Sequence, residues 1–285
     1  MARGREKTAT MAFSFGGGGR PDGGRSASAT QAGRWWRLGG PAPGVGHFGS
    51  GILDWLLAHR LRTLLPMTRL AILSDVHADL SALRDALARI ERMGIELVVC
   101  AGDLVDYGLH PEETIQLLRD EAVPCIRGNH DRWALERARQ PPKPGAKPLP
   151  KEALAFLDAL PLAWNRRIED VRVAVRHGTP RSDMHGIFPE HLEPDDARRF
   201  LEQAEAEVLI VGHTHIPFAL STLGGGLIVN PGALLREPDR SKPHPPTGGT
   251  FGVLDLPSRD FRVHRAVDGE EIEILRRTVG VRDRR

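Results

Sequence analysis

The sequence predicts an α/β fold with a largely parallel sheet at its core. Two observations carry that prediction: from residue 67 onward apolar runs of strand length recur, and patterns of helical period lie between several of them. A third bears on chemistry. Six of the runs are followed at once by acidic, imidazole or amide residues, usually beside a glycine.

The elements follow in chain order. MTRLAILSDVH opens at Met67 and supplies the first strand, LAIL, 70 to 73. In LSALRDALARIERM, 80 to 93, Leu80, Leu83, Leu87 and Ile90 keep one helical face, and Asp79 stands where a cap belongs. ELVVCA, 96 to 101, is the second strand. HPEETIQLLRDE, 110 to 121, reads as a helix because Pro111 fits a first turn and Glu112 and Glu113 complement the helix dipole. VPCI, 123 to 126, is the third apolar run. The proline-rich RARQPPKPGAKPLP, 137 to 150, reads as a surface connection, and KEALAFLDAL, 151 to 160, as a further helix. VRVAV (171 to 175), the helix PDDARRFLEQAE (194 to 205), EVLIV (207 to 211), GLIV (226 to 229) and TFGVLDL (250 to 256) complete the pattern.

Residues 1 to 66 are different in kind. They hold 14 of the 31 glycines and carry nine basic against three acidic residues, whereas residues 67 to 285 carry 30 basic and 34 acidic. The basic balance of the chain therefore belongs to the head and gives no argument for nucleic-acid binding by the body. The head has too few apolar residues at any fixed period to build a core, so residues 1 to 66 are expected to be a disordered extension, or upstream sequence translated from an early start. Residues 67 to 285 are the expected functional domain. ILDWLLAHRLRTLL, 52 to 65, is too short and too charged, with Asp54, His59 and Arg60, to span a bilayer. No signal-peptide core follows the first basic residues, and a cytoplasmic location is expected. Cys100 and Cys125 lack CxxC spacing and read as buried free thiols.

The residues past the strands are the informative ones. LAIL is followed by SDVH, ELVVCA by GD, VPCI by RGNHD, VRVAV by RHG, EVLIV by GHTH and GLIV by NPG. In open α/β sheets ligands bind at the carboxyl ends of strands, so these loops can converge on one point. They would bring Asp75, His77, Asp103, Asn129, His130, His177, His213 and His215 together. Taken singly, each motif is ordinary turn chemistry. Their shared position just past an apolar run is what gives them weight. Carboxylate, imidazole and amide ligands without thiolate suit manganese, iron, nickel or zinc. The set exceeds what one catalytic ion needs, and two ions sharing a carboxylate would use it fully.

In this order DVH, GDLVD, GNHD, HG and GHTH resemble the five signature blocks of the calcineurin-like metallophosphoesterases, and NPG is similar to their small bacterial and archaeal phosphodiesterase-like branch. The resemblance covers about residues 69 to 256. It implies a sandwich of two mixed β-sheets flanked by helices and a dinuclear centre of divalent ions, manganese first among the candidates. By that resemblance Asp75, His77 and His215 would hold one ion, Asn129, His177 and His213 the other, and Asp103 would bridge them. His130 would face the scissile phosphate and protonate the leaving oxygen, with Asp131 orienting its imidazole or raising its basicity.

The chain departs from the family pattern in places. HAD, with Ala78 and Asp79, replaces the common HGN, and Tyr107 and Gly108 stand where related protein phosphatases have Arg-Gly. The third block is GNHD and not their GNHE. Arg181, His185 and Arg236 are candidates to bind a phosphate or a second group of the substrate, and each also reads as a solvated loop residue. The expected activity is hydrolysis of small phosphodiesters or nucleotides, with a small phosphate ester as the partner and no membrane. The alternatives are a phosphomonoesterase, a dinucleotide polyphosphate hydrolase, or a non-catalytic scaffold such as the retromer subunit that resembles this family.

Overall fold

A computed structural model describes residues 67–142, 148–236 and 249–280. They fall within one compact unit, Ala32–Arg285; a second unit, Met1–Gln31, lies outside the described residues. So do the expected extension 1–66, part of the proline-rich connection and most of the loop that follows NPG. No helix among the described residues is long and apolar enough to cross a membrane.

The strands are β1 (Thr68–Leu73), β2 (Leu97–Cys100), β3 (Trp164–Ile168), β4 (Val171–Val175), β5 (Val208–Ile210), β6 (Phe218–Thr222), β7 (Leu227–Asn230), β8 (Thr250–Leu256), β9 (Asp260–Arg265), β10 (Glu271–Ile272) and β11 (Leu275–Val279). The helices are α1 (Leu80–Arg92), α2 (Pro111–Asp120), α3 (Asn129–Ala138), α4 (Lys151–Ala159) and α5 (Pro194–Gln203). One sheet runs β10-β9-β8-β1-β2 and the other β11-β6-β7-β5-β4-β3.

Both sheets are mixed. β1 pairs in parallel with β2 and antiparallel with β8, while β4, β5 and β7 run parallel and are flanked by antiparallel β3 and β6. This corrects the largely parallel core that the run-by-run reading predicts and agrees with the two mixed sheets that the resemblance implies. Several strands carry no continuous apolar run and escape that reading, the antiparallel β3 and β9 among them. β3 is WNRRI and β11 is LRRTV, both edge strands with exposed arginines, so their pattern resembles a loop. Charged edges of this kind resist pairing with another chain.

Alternation along the strands builds the layers. On β1, Leu70 and Ile72 face the second sheet and pack with Val173, Val175, Val208 and Ile210. Ala71 and Leu73 face the other way, against Leu83 and Ile90 of α1 and Ile115 and Leu118 of α2. On the outer side of the second sheet, Ala197 and Leu201 of α5 pack on Leu209, Val211 and Ile228. Each large side chain so buried contributes about 1.5–3 kcal/mol. The order is helices, sheet, sheet, helix, and this stacking brings the carboxyl ends of β1 and β2 to those of β4, β5 and β7.

Two local expectations need correction. VPCI is not a full strand: Cys125 makes an isolated bridge to Cys100, and Pro124 has no amide hydrogen to continue the ladder. GNHD is not a loop either, because Asn129 to Asp131 form the first turn of α3 behind an extended Gly128. Asp79 caps α1 as expected, accepting from the Ala82 amide at 2.9 Å. Both cysteines are buried and free.

Candidate metal centre and active site

The loops that end the strands hold an unusual backbone. Asp75, His77, Asp103, His213 and His215 all have φ between 49° and 66°, the left-handed region that L side chains rarely enter. Asp and His are among the few non-glycine residues enriched there, and such outliers persist only where surrounding structure holds them. Here the holding groups are backbone pairs between the first two loops: Asp75 N–H to Gly102 O at 3.0 Å, His77 N–H to Asp103 O at 2.9 Å and Ala78 N–H to Leu104 O at 2.8 Å. The Asn230 side chain of NPG fixes the GHTH loop by donating to Gly212 O at 2.8 Å and Thr214 Oγ1 at 3.1 Å.

Two glycines permit the close approach of these loops. A Cβ at Gly128 would lie 2.1 Å from Asp103 Oδ1, and one at Gly212 would lie 2.0 Å from Ser74 Oγ. Any side chain at either position would push a ligand carboxylate or its neighbour aside.

The side chains converge in overlapping groups. Asp75, His77 and His215 form one, Asp103, His177 and His213 another, and His77, Asp103 and His130 a third; in each, the donor atoms lie within 4.8 Å of one another. Asp103 belongs to two of them. Its Oδ1 accepts the His130 amide at 2.8 Å, which leaves Oδ2 at 3.1 Å from His177 Nε2 and 3.8 Å from His77 Nε2. His215 Nε2 is 3.2 Å from both Asp75 Oδ1 and His77 Nε2. Asn129 Oδ1 is 3.0 Å from His177 Nε2 and 2.9 Å from His213 Nδ1.

This donor set fits a cation. His77 Nδ1 faces the Val105 carbonyl at 3.1 Å and His177 Nδ1 the Ala101 carbonyl at 2.8 Å. A carbonyl only accepts, so each Nδ1 carries a hydrogen, and in the neutral form of either ring the Nε2 lone pair turns inward. Those lone pairs then face carboxylate oxygens and one another, an arrangement that a positive charge resolves. Burial pushes His77 down to about 4 against the opposing charges of Asp103 and Asp75, keeping it in the neutral form that binds metals. For His177 burial acts in the same direction, but the Asp103 carboxylate overrides it and lifts the ring to about 10. Burial likewise works against the Asp75 charge, yet the His215, His177 and His77 rings hold it well below the usual carboxylate range.

His130 lies at the edge of this cluster, its Nδ1 at 2.9 Å from Asp106 Oδ2. Asp106 is held in turn by the Arg137 guanidinium from the last turn of α3. The expected partnership of His130 with Asp131 is therefore corrected. The buried Asp131 carboxylate accepts from the amides of Gly128 (2.9 Å), Asp103 (3.0 Å), Leu104 (2.8 Å) and Val105 (3.3 Å), and so ties the second strand-end loop to the start of α3. Burial and the nearby Asp103 charge push it up to about 7, against the pull of the Gly128 and Leu104 amides. An acidic residue three positions after a helix cap is the sequence signal for this role. Asp106 had no comparable signal, since only its left-handed turn, φ 73°, reveals where its carboxylate points.

Of the substrate-binding candidates, Arg236 is committed elsewhere. Its amide donates to Asp79 Oδ2 at 3.1 Å and its guanidinium pairs with Asp85 on α1. Arg181 and His185 are exposed on the loop after His177, which Arg132 of α3 anchors by a two-pronged ion pair to Asp183 at 2.7 and 3.3 Å.

The family model for the calcineurin-like phosphoesterase superfamily domain matches residues 68–258. The chain belongs to this superfamily. An uncharacterized protein of Methanocaldococcus jannaschii is 34% identical over 180 residues, which span 60% of this chain and 72% of that one. A metallophosphoesterase from Sphaerobacter thermophilus has a similar fold, with a TM-score of 0.53 and 24% identity over 73% of this chain and 89% of that one. A hypothetical protein from Pyrococcus horikoshii is similar at a TM-score of 0.55 and 19% identity, over 73% of this chain and 88% of the other. For this phosphoesterase-superfamily member the two mixed sheets and the His and Asp cluster at their strand ends are thus the family fold carrying a candidate metal site. The superfamily makes it a hydrolase of phosphoric esters.

Proposed function

We propose that the protein hydrolyses small phosphodiesters or nucleotides at a centre of two divalent ions, manganese first among them. The observation that supports this most directly is the position of Asp103, whose Oδ2 faces His77 on one side and His177 on the other. Asp75, His77 and His215 would hold one ion and Asn129, His177 and His213 the second, with Asp103 common to both. Two such cations supply the Lewis acidity that makes water nucleophilic near neutral pH and offsets charge on the phosphate oxygens.

The chain's own residues supply the rest. As the water oxygen bonds to phosphorus, the bond to the leaving oxygen breaks, and His130 gives that oxygen a proton from the ring nitrogen not held by Asp106. A proton from the attacking water restores the imidazole. Asp106 fixes the ring, and Arg137 fixes Asp106.

The test is hydrolysis of bis(p-nitrophenyl) phosphate against p-nitrophenyl phosphate by metal-stripped protein, with manganese, nickel, zinc or magnesium added back singly. Metal-dependent turnover that favours the diester is the expected result. Preference for the monoester would point to a phosphomonoesterase, and no turnover with ions bound would point to the scaffold.

A further inference from the structure

Exposed apolar side chains gather at this otherwise polar site. Tyr107, the chain's one tyrosine, is 50% exposed although its ring touches two of the site's histidines. Its centroid lies 4.6 Å from that of His77 and 4.9 Å from that of His130. Trp133, one turn along α3 and half-buried, places its ring 4.7 Å from His130. The backbone pays for this placement: Tyr107 sits at φ 62°, where a bulky residue is an outlier, and the Gly108 amide locks the turn onto His77 O at 2.9 Å. At the His213 end Phe188 is 36% exposed, and a Cβ at Gly186 would meet both rings, Phe188 at 3.2 Å and His213 at 3.3 Å.

We propose that Tyr107, assisted by Trp133, is a specificity-determining residue that stacks on a flat aromatic leaving group, a nucleobase or aryl ring, of the phosphate ester. The inference rests on the functional reading above, in which His130 protonates the leaving oxygen. A leaving group that receives a proton from His130 comes within reach of the two rings that touch His130. A phosphate alone has no use for an exposed aromatic face, whereas every nucleobase offers a π surface to it. Asp106, the neighbouring carboxylate, is engaged by His130 and Arg137, so the exposed feature beside His130 is the Tyr107 ring.

The test compares binding of adenosine 5′-monophosphate with that of ribose 5-phosphate to the manganese-loaded full chain by calorimetry. The two ligands share the phosphate and sugar and differ in the base. The native chain is expected to bind the base-bearing ligand about ten-fold more tightly. Tyr107→Ala should erase most of that ratio and Tyr107→Phe should keep it. Equal affinities in the native chain would overturn the proposal. So would a Tyr107→Ala variant that weakens both ligands by one factor, because the ring would then only brace His77. Hydrolysis of bis(p-nitrophenyl) phosphate by the same native preparation separates the two levels: turnover without a base preference removes the stacking role alone, and absence of turnover removes the underlying reading.

Discussion

His130 Nδ1 and Asp106 Oδ2 lie 2.9 Å apart, and the Arg137 guanidinium closes the far side of Asp106. The pair joins the turn after β2 to α3 and fixes the orientation of the His130 imidazole, which shares a donor group with His77 and Asp103. Asp106→Asn should therefore lower kcat about 10- to 100-fold for esters with poor leaving groups, where proton donation matters most, and far less for p-nitrophenolate. Metal content should not change. Equal losses for good and poor leaving groups would deny Asp106 its part in protonation.

Asp131 is expected to act on stability. Replacing it with Ala leaves the amides of Gly128, Asp103, Leu104 and Val105 buried without their acceptor. Each buried unsatisfied group costs about 1–3 kcal/mol, so a loss of roughly 3 kcal/mol or more is predicted in urea unfolding. An unchanged midpoint with reduced activity would restore Asp131 to the chemistry.

The metal-free protein should lose stability as pH rises from 7 to 9. His177 titrates near 10 when folded, against 6.5 for the free ring. The folded state thus keeps a proton that the unfolded chain releases, and this stability is present in full below pH 6.5 and lost as pH climbs toward 10. Asp131, raised to about 7, has the same sign but acts mainly below the window. The Cys125 thiol, pushed up by its hydrogen bond with the Cys100 side chain and by burial, contributes only above its ordinary value of 9.0. A fall of roughly 2 kcal/mol over these two units is expected with chelator present, and His177→Gln should flatten it. A flat native profile would contradict the His177–Asp103 charge pairing.

Much of this was legible in the sequence, and the remainder fails for identifiable reasons. The runs LAIL, VRVAV and GLIV announce β1, β4 and β7 because those strands are largely buried and need apolar side chains. β3 and β11 are edges whose outward arginines hide the strand period. The eight polar residues predicted to converge do so: six follow strands whose ends the sandwich brings to one edge, and Asn129 and His130 open the helix that begins beside them. What could not be read was how neighbours divide the work. Asp131 is next to His130 in sequence and Asp106 lies 24 positions before it, yet the left-handed turn at 106 and the helix start at 128 give the imidazole to Asp106 and the amides to Asp131. Arg236 lies close in sequence to the site loop, but the structure pairs its guanidinium with Asp85 on α1.

The central claim, that Asp103 serves two ions at once, is tested most directly by titrating metal-stripped protein with manganese while counting bound ions and measuring bis(p-nitrophenyl) phosphate turnover. Two ions per chain, with turnover rising only as the second binds and both lost in Asp103→Asn, is the predicted result. Full turnover at one ion per chain, or two ions still bound in Asp103→Asn, would contradict it.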